Sequence, residues 1–334
     1  MSVEAQTIDT AEALNAISAA WRDLWRRARA ATIFQHPDWL IPWWRHFAPG
    51  ELASIALWRG DNLVGLAPLY REQATRRLLP LGISLSDYLD VLIAKEDSAS
   101  ILREMERRIA QISCASEICF PDVAPDAMVL RLAANELVDS KSPGQLAPEL
   151  ALGAADNPLK NVPAHQRQNL RTAENRGRRR GCMIREVKPE ELTSFLPALL
   201  QLHSARRREL GDAGLADDPR VPPFFADAFG KLSHAGLLRA YSLSCEERFI
   251  GGYVGFLHAD RACYHFGGFD PAFSFESPGT VLIGHAMRRA AAEGAQKFDF
   301  LRGGEPYKYA WGARDRQLLS VTLTRQFSHA DLIS

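Results

Sequence analysis

Phe269-Asp-Pro-Ala-Phe-Ser-Phe-Glu-Ser-Pro-Gly-Thr-Val-Leu282 is the stretch whose reading decides the fold. Three β-type runs precede it, at 237–244, 248–258 and 261–269. Tight turns at Cys245-Glu246-Glu247 and Ala259-Asp260 separate them, the pattern of an antiparallel meander. Residues 277–293 then read as a helix closed by Gly294, and 297–301 as a strand returning beside the sheet. Ser277 suits the N-cap and Pro278 the first helical position. Gly279 and Thr280 leave backbone N–H groups at the helix end with little side chain over them. Unpaired N–H groups and the helix dipole together favour a phosphate at such a start, although a capped helix without a ligand has the same signature.

Downstream runs Phe298-Asp-Phe-Leu-Arg-Gly-Gly-Glu-Pro-Tyr-Lys-Tyr-Ala-Trp-Gly312. Here a strand enters a glycine pair, and Glu305, Tyr307, Lys308 and Tyr309 follow at once. A carboxylate, two phenols and an ammonium are crowded just past a strand end, where α/β folds place ligands. Plainer roles exist for each: Asp299 as a turn cap, Glu305 and Lys308 as a surface pair, Trp311 as core.

Upstream, residues 163–180 read as a basic helix. Arg167, Arg171 and Arg178 share one azimuth, because steps of 4 and 7 residues return to nearly the same face. Such a face is either solvated or lines a cleft for phosphate or carboxylate groups, which arginine grips bidentately. The breaker-rich segment 142–158 reads as a connector. Before it, the sequence predicts an amphipathic helix over 11–29, an aromatic helix carrying Trp39, Trp43, Trp44 and Phe47, and a hairpin of 53–59 with 63–70. Short strands follow at 78–81 and 88–94, then a helix at 98–112, a strand at 117–121 and a helix at 126–137. The expected domains are 1–145, a linker at 146–160, and 161–334.

The 334 residues exceed the size at which one core usually stops growing, in keeping with two domains. The chain is 46% hydrophobic and 24% charged, and its 40 basic and 40 acidic side chains cancel, which speaks against a dedicated nucleic-acid binder. The balance is uneven along the chain. Residues 1–159 hold 15 basic and 21 acidic side chains, whereas 160–181 hold 7 and 1. The N-terminus is acidic where a signal peptide would be basic, and no stretch approaches the ~20 apolar residues of a membrane helix, so a cytoplasmic protein without membrane insertion is expected. Five cysteines, Cys114, Cys119, Cys182, Cys245 and Cys263, show no C-x-x-C spacing; all are expected to be reduced thiols, and no metal site is expected.

The 269–282 and 298–312 phrases, with Phe34-Gln-His-Pro-Asp-Trp39 and Ser86-Asp-Tyr-Leu-Asp90, resemble the CelD-like family of GNAT-type acyltransferases, associated with cellulose biosynthesis, over roughly residues 20–326. The layout is also similar to that of Fem-type ligases, which move amino acids from aminoacyl-tRNA to peptidoglycan precursors. The resemblance implies an α/β (α+β) fold of two tandem GNAT-like domains, each a mixed, mainly antiparallel sheet flanked by helices. It implies N-acyl transfer, most often of acetyl from acetyl-CoA or another acyl-CoA, to an amine of a small-molecule acceptor or of one related to cell envelope or polysaccharide. By that resemblance Ser277, Gly279 and Thr280 hold the pyrophosphate, with Ser-Pro-Gly-Thr in place of the usual arginine- or glutamine-led glycine loop. Tyr307 or Tyr309 would protonate the departing thiolate, Tyr307 being preferred. Glu305 or Asp299 would deprotonate the amine, and Lys308 would bind an anionic group. Arg167, Arg171 and Arg178, with Tyr309, would contact substrate. Two other readings stand beside this: Fem-like transfer from aminoacyl-tRNA, the one case in which nucleic acid is a partner, and a non-catalytic GNAT scaffold.

Overall fold

The computed structural model, which describes residues 2–325 except 97, 114–116, 133–136, 210 and 212, divides the chain into two units. In chain order the first elements are β1 (Glu4–Ile8), α1 (Ala11–Ala16), α2 (Ser18–Arg27), α3 (Pro37–Phe47), β2 (Gly50–Leu52), β3 (Ser54–Arg59), β4 (Asn62–Ala67), β5 (Leu69–Glu72), β6 (Leu78–Pro80), β7 (Leu92–Ile93), α4 (Ser98–Ser113), β8 (Ile118–Val123) and β9 (Leu137–Leu146). They continue with β10 (Glu149–Ala151), α5 (Ala164–Arg179), β11 (Cys182–Glu186), α6 (Leu192–Glu209), α7 (Val221–His234), β12 (Leu238–Cys245), β13 (Arg248–His258), β14 (Arg261–Phe269), α8 (Pro278–Ala292), β15 (Lys297–Asp299), α9 (Pro306–Ala310) and β16 (Gln317–Arg325).

One unit runs to Gln145 and resumes at Gln317; the other spans Leu146 to Arg316. Both expected boundaries of the second domain therefore change. The expected linker 146–160 contains β10, which pairs antiparallel with β15, Glu149 opposite Asp299. The expected domain 161–334 loses β16, which pairs with β8 of the first unit, Leu319 opposite Val123. The three residues of β10 are too few to show a period, and alternation announces a strand without naming its partner.

The first unit holds an antiparallel sheet ordered β1-β3-β4-β7 and a mixed sheet ordered β2-β5-β6-β8-β16-β9. The hairpin forms as expected, Arg59 facing Asn62 across Gly60-Asp61. The helix expected over 11–29 breaks at Ile17 into α1 and α2. Trp21, Leu24 and Trp25 still face inward, and the buried Trp21 Nε1 donates to the Gln35 carbonyl at 2.9 Å. Of the helix expected over 126–137, Met128–Arg131 forms a 3-10 turn and Leu137 begins β9, while 133–136 lie outside the described residues. The buried Asp90 carboxylate accepts from the Met128 and Val129 N–H groups at 2.8 Å each.

The second unit is one six-stranded sheet, β10-β15-β14-β13-β12-β11, antiparallel except for the β14–β15 pair. Helices cover both faces. A Cβ on Gly251 would meet Leu282 of α8 at 3.4 Å, and one on its neighbour Gly252 would meet Phe195 of α6 at 2.8 Å; adjacent strand residues point to opposite faces. α5 docks through Gln166, Leu170, Ala173 and Gly177, a stripe at helical spacing. Leu170 is fully buried against Gly284 of α8, where a Cβ would lie 2.7 Å from both Leu170 methyl carbons.

Cys182 and Cys245 stand opposite each other in the β11–β12 register, Cα atoms 4.0 Å apart, and are joined as a disulfide. The expectation of reduced thiols is thereby corrected for this pair. Their sequence separation of 63 hides them from any motif, and only strand register brings them together. Cys119 and Cys263 are not disulfide-bonded, and Cys114 lies outside the described residues. No helix among the described residues is long and apolar enough to cross a membrane.

The α5–α8 contact gives a direct test. Replacing Gly284 with Val overpacks the seat of Leu170 and is expected to lower stability by about 1–3 kcal/mol, read as a lower urea midpoint at unchanged m-value.

Candidate active site

The site is built around the point where β14 and β15 part. Their parallel pairing lasts three residues, Arg261 to Cys263 against Lys297 to Asp299. β14 then continues to Phe269 while β15 ends, so the sheet opens beyond Cys263 and Asp299. What ends β15 is Asp299 itself. Its fully buried carboxylate accepts from Arg261 Nη1 at 2.6 Å and from the Leu301 N–H at 2.8 Å, and Arg316 Nη2 lies 3.7 Å away. Arg261 also donates to Glu149 Oε2 at 2.8 Å. Burial alone would depress the Arg261 pKa, but the Asp299 and Glu149 carboxylates raise it, so the guanidinium stays charged. Asp299 is thus a strand-end anchor with its lone pairs engaged.

The bond from the Leu301 N–H turns the chain, and Leu301 takes a positive φ of 57°. Gly303 follows at φ 104°, a conformation that favours glycine, and a Cβ there would displace the Glu305 carboxylate, 2.4 Å away. Lys308 closes the loop. Only 2% exposed, its ammonium donates to the carbonyls of Leu301, Arg302 and Gly303 at 3.3, 2.6 and 3.0 Å and lies 2.9 Å from Glu305 Oε2. The anion-binding part expected of Lys308 thus gives way to a loop clamp, because its three N–H donors already have protein acceptors. Glu305 keeps nearly half of its side chain exposed.

This loop sets Tyr307 at the opening. Its ring meets Tyr264 of β14 at 6.5 Å and Phe300 at 6.2 Å. Burial, with Tyr264 and Glu305 adding to it, pushes the Tyr307 phenol far up, so it stays protonated, although 41% of the residue remains exposed. Tyr309 donates to Asp315 Oδ1 at 2.7 Å.

Ser277 precedes α8 as expected, but at φ 52°, ψ 57° its side chain caps nothing and instead reaches back to the Ser274 carbonyl at 3.5 Å. That corrects its reading as a side-chain cap. Gly279 and Thr280 occupy the first turn, where backbone N–H groups have no helical acceptor. Of the three arginines, Arg167 turns back to the carbonyls of Leu159, Lys160 and Val162. Arg171 and Arg178 remain on the exposed face, bonded to Gln168 and Asn175. One azimuth is confirmed as geometry, but it does not make a joint arginine site. No group of three or more His, Cys, Asp or Glu among the described residues is placed to hold a metal. An open cleft of about 370 Å³ lies elsewhere, in the first unit, lined by Glu4, Gln6, Trp58 and Asp61 among others; it contains none of these residues.

Two imidazoles near the opening escaped the sequence reading. The β13–β14 register shifts between Val254 and Gly255, leaving His265 as an extra residue in β14. Its ring packs against Phe225, Phe229 and Phe256, while His203 of α6 meets Phe266 at 5.6 Å. Burial pushes His203 down to about 4 and His265 to about 3, with Arg207 and Arg302 respectively contributing. A histidine in an aromatic strand looks like core, and no sequence signal marks the bulge.

Residues 164–309 match the acetyltransferase (GNAT) domain family. No curated protein matches the chain. Among solved structures, the crystal structure of FemX is similar with a TM-score of 0.66 at 13% identity, over 95% of this chain and 96% of that one. A conserved protein of unknown function from Bacteroides thetaiotaomicron gives 0.58 at 11% identity, over 97% and 100%. L-PGS from Bacillus licheniformis gives 0.51 at 13%, over 80% and 83%. At these identities the likeness is one of fold: a mixed α/β, GNAT-like architecture of mainly antiparallel sheets flanked by helices.

Two tests follow from this geometry. Lys308→Met leaves three loop carbonyls without their donor and is expected to cost about 1–3 kcal/mol, measured by chemical denaturation. For the histidines, the folded pKa lies below the unfolded value, so the unfolded chain binds more protons as pH falls from about 6.5 towards 4. Stability is full above that window and declines through it, and His265→Phe is expected to flatten the decline in thermal-unfolding scans.

Proposed function

We propose that the protein is an N-acyltransferase that moves an acyl group, acetyl in the simplest case, from an acyl-CoA to an amine. The observation that carries this reading is the parting of β14 from β15 after Cys263 and Asp299, with a protonated phenol at the opening and the first turn of α8 following β14. The parted strand leaves the backbone of β14 beyond Cys263 without a β15 partner, an edge suited to the amides of a pantetheine arm. The Gly279 and Thr280 N–H groups suit its pyrophosphate, since Gly279 puts no side chain in the way.

Attack of a neutral amine on a thioester forms the C–N bond, breaks the C–S bond and leaves a thiolate needing a proton. Tyr307 is assigned as donor, because its phenol stands at the opening against Tyr264 and Phe300. Glu305, half-exposed beside it in the loop, is assigned as acceptor of the amine proton, directly or through water. Asp299 and Lys308 act by holding the loop that presents both. A cell-envelope or polysaccharide-related amine, as in the CelD-like family, a cytoplasmic location and contacts from Arg171, Arg178 and Tyr309 to the acceptor belong to the same proposal.

A second reading, aminoacyl transfer from aminoacyl-tRNA, draws on the FemX-like fold, which extends over both units. It would use the exposed Arg171 and Arg178 for phosphates.

Acetyl transfer from acetyl-CoA to a panel of amines tests the first reading. Tyr307→Phe is expected to lower kcat by about 10²–10³-fold with little change in KM. Turnover with charged tRNA alone would shift the assignment to the second reading. Absence of turnover and of thermal stabilisation by coenzyme A would leave a non-catalytic scaffold.

A further inference from the structure

We propose that Cys182 and Cys245 form a reversible thiol–disulfide switch that sets how firmly Arg180, and with it the lead-in to α8, is held. The pair joins an edge strand to its neighbour: among the described residues β11 ends the sheet and pairs with β12 alone. Cys245 is buried, whereas Cys182 is half-buried on the outermost strand, so a small reagent can approach Cys182 first.

Both ends of the bond flank one arginine. Arg180 lies two residues before Cys182, past the last turn of α5 and joined to β11 by Gly181 at φ 70°. A Cβ on Gly177 would lie 3.5 Å from the Cys182 Cβ, so the last turn of α5 rests directly on the pair. The Arg180 guanidinium donates to the buried Glu276 carboxylate at 2.9 Å and lies 3.8 Å from Glu246, the residue after Cys245. It also stacks over the Phe273 ring at 4.3 Å. Glu276 and Phe273 belong to the 3-10 turn, Pro271–Glu276, that runs straight into Ser277 and α8. Arg176, one turn earlier, donates to the Phe275 carbonyl of the same turn at 3.1 Å. The disulfide therefore fixes the spacing between the two chain segments, 180–182 and 245–246, that hold Arg180 in place. Reduction leaves that spacing to the backbone pairing of β11 with β12 at the sheet edge.

Oxidation balances as two thiol–disulfide exchanges with a low-molecular-weight disulfide. The Cys182 thiolate attacks one sulfur of the reagent, forming a mixed disulfide and releasing one thiolate. The Cys245 thiolate then attacks the Cys182 sulfur, forming the internal bond and releasing the second. Two protein thiols are oxidised, one small disulfide is reduced to two thiols, and reversal needs only the reduced form of the same reagent.

The test equilibrates the full chain over a series of glutathione to glutathione-disulfide ratios, followed by alkylation under denaturing conditions and mass spectrometry. Cys182 and Cys245 are expected to lose label together as the ratio turns oxidising, and to regain it on return; labelling that never changes, or that stops at a glutathione adduct, overturns the switch. Hydrogen exchange on the same samples is expected to slow about tenfold over residues 176–186 and 273–277 in the oxidised form. Equal exchange in both forms overturns the coupling to Arg180. The melting temperature is expected to fall by on the order of 10 °C on reduction, as suits a 63-residue loop. Cys182→Ser with Cys245→Ser is expected to abolish every ratio dependence; a response that survives overturns the assignment to this pair.

The consequence for the acyl donor rests on the acyl-transfer reading: coenzyme A is expected to bind severalfold more weakly to the reduced form. No coenzyme A binding in either form overturns that reading and leaves the exchange result standing. Equal binding in both forms, with exchange also unchanged, overturns the switch.

Discussion

A single buried carboxylate organises the loop that follows β15. Asp299 cannot be left bare at the end of β15, and Arg261 together with the Leu301 N–H answers its charge. The bond to Leu301 turns the backbone into a conformation that exposes three carbonyls on the inside of a loop, and those carbonyls fix the Lys308 ammonium. With Lys308 placed, its neighbour Tyr307 has nowhere to go but the rim of the parted strands. Each step satisfies a polar group left over from the one before it. The short β14–β15 pairing is therefore a product of electrostatics as much as of strand length.

The order of elements in the second unit was legible because its punctuation is strong. Gly294 closes α8, Pro278 opens it, and the turns at 245–247 and 259–260 separate runs of β-branched and aromatic residues. Gly279, Thr280, Glu305 and Tyr307 were picked out for the same reason: breakers and reactive side chains share a few positions at strand and helix ends. Their roles were less legible. A lysine among a glutamate and two tyrosines reads as a ligand group, and nothing local reveals that the loop folds its carbonyls back onto it. Arg167 is similar, since azimuth gives a face and not the loop to which a long side chain returns.

Other long-range pairings lay outside the sequence patterns, although the return of β15 beside the sheet did not. Cys182 and Cys245 meet through register, β10 is too short for periodicity, and β16 alternates without indicating which sheet it enters. In the first half, the Asp90 carboxylate draws in the N–H groups of Met128 and Val129 and converts an expected helix into a single 3-10 turn. Local propensity lost there to a buried carboxyl group that needed donors.

The placement of β16 has a consequence for how the chain is made. It lies between β8 and β9 in the first unit's mixed sheet, yet it is synthesised only after the whole of the second unit. During translation, β8 and β9 must wait with a gap between them while Leu146 to Arg316 are produced and can already close their own sheet. The usual vectorial order, with the leading unit finished first, is thus inverted, and the part that carries the site is the part that can mature earliest.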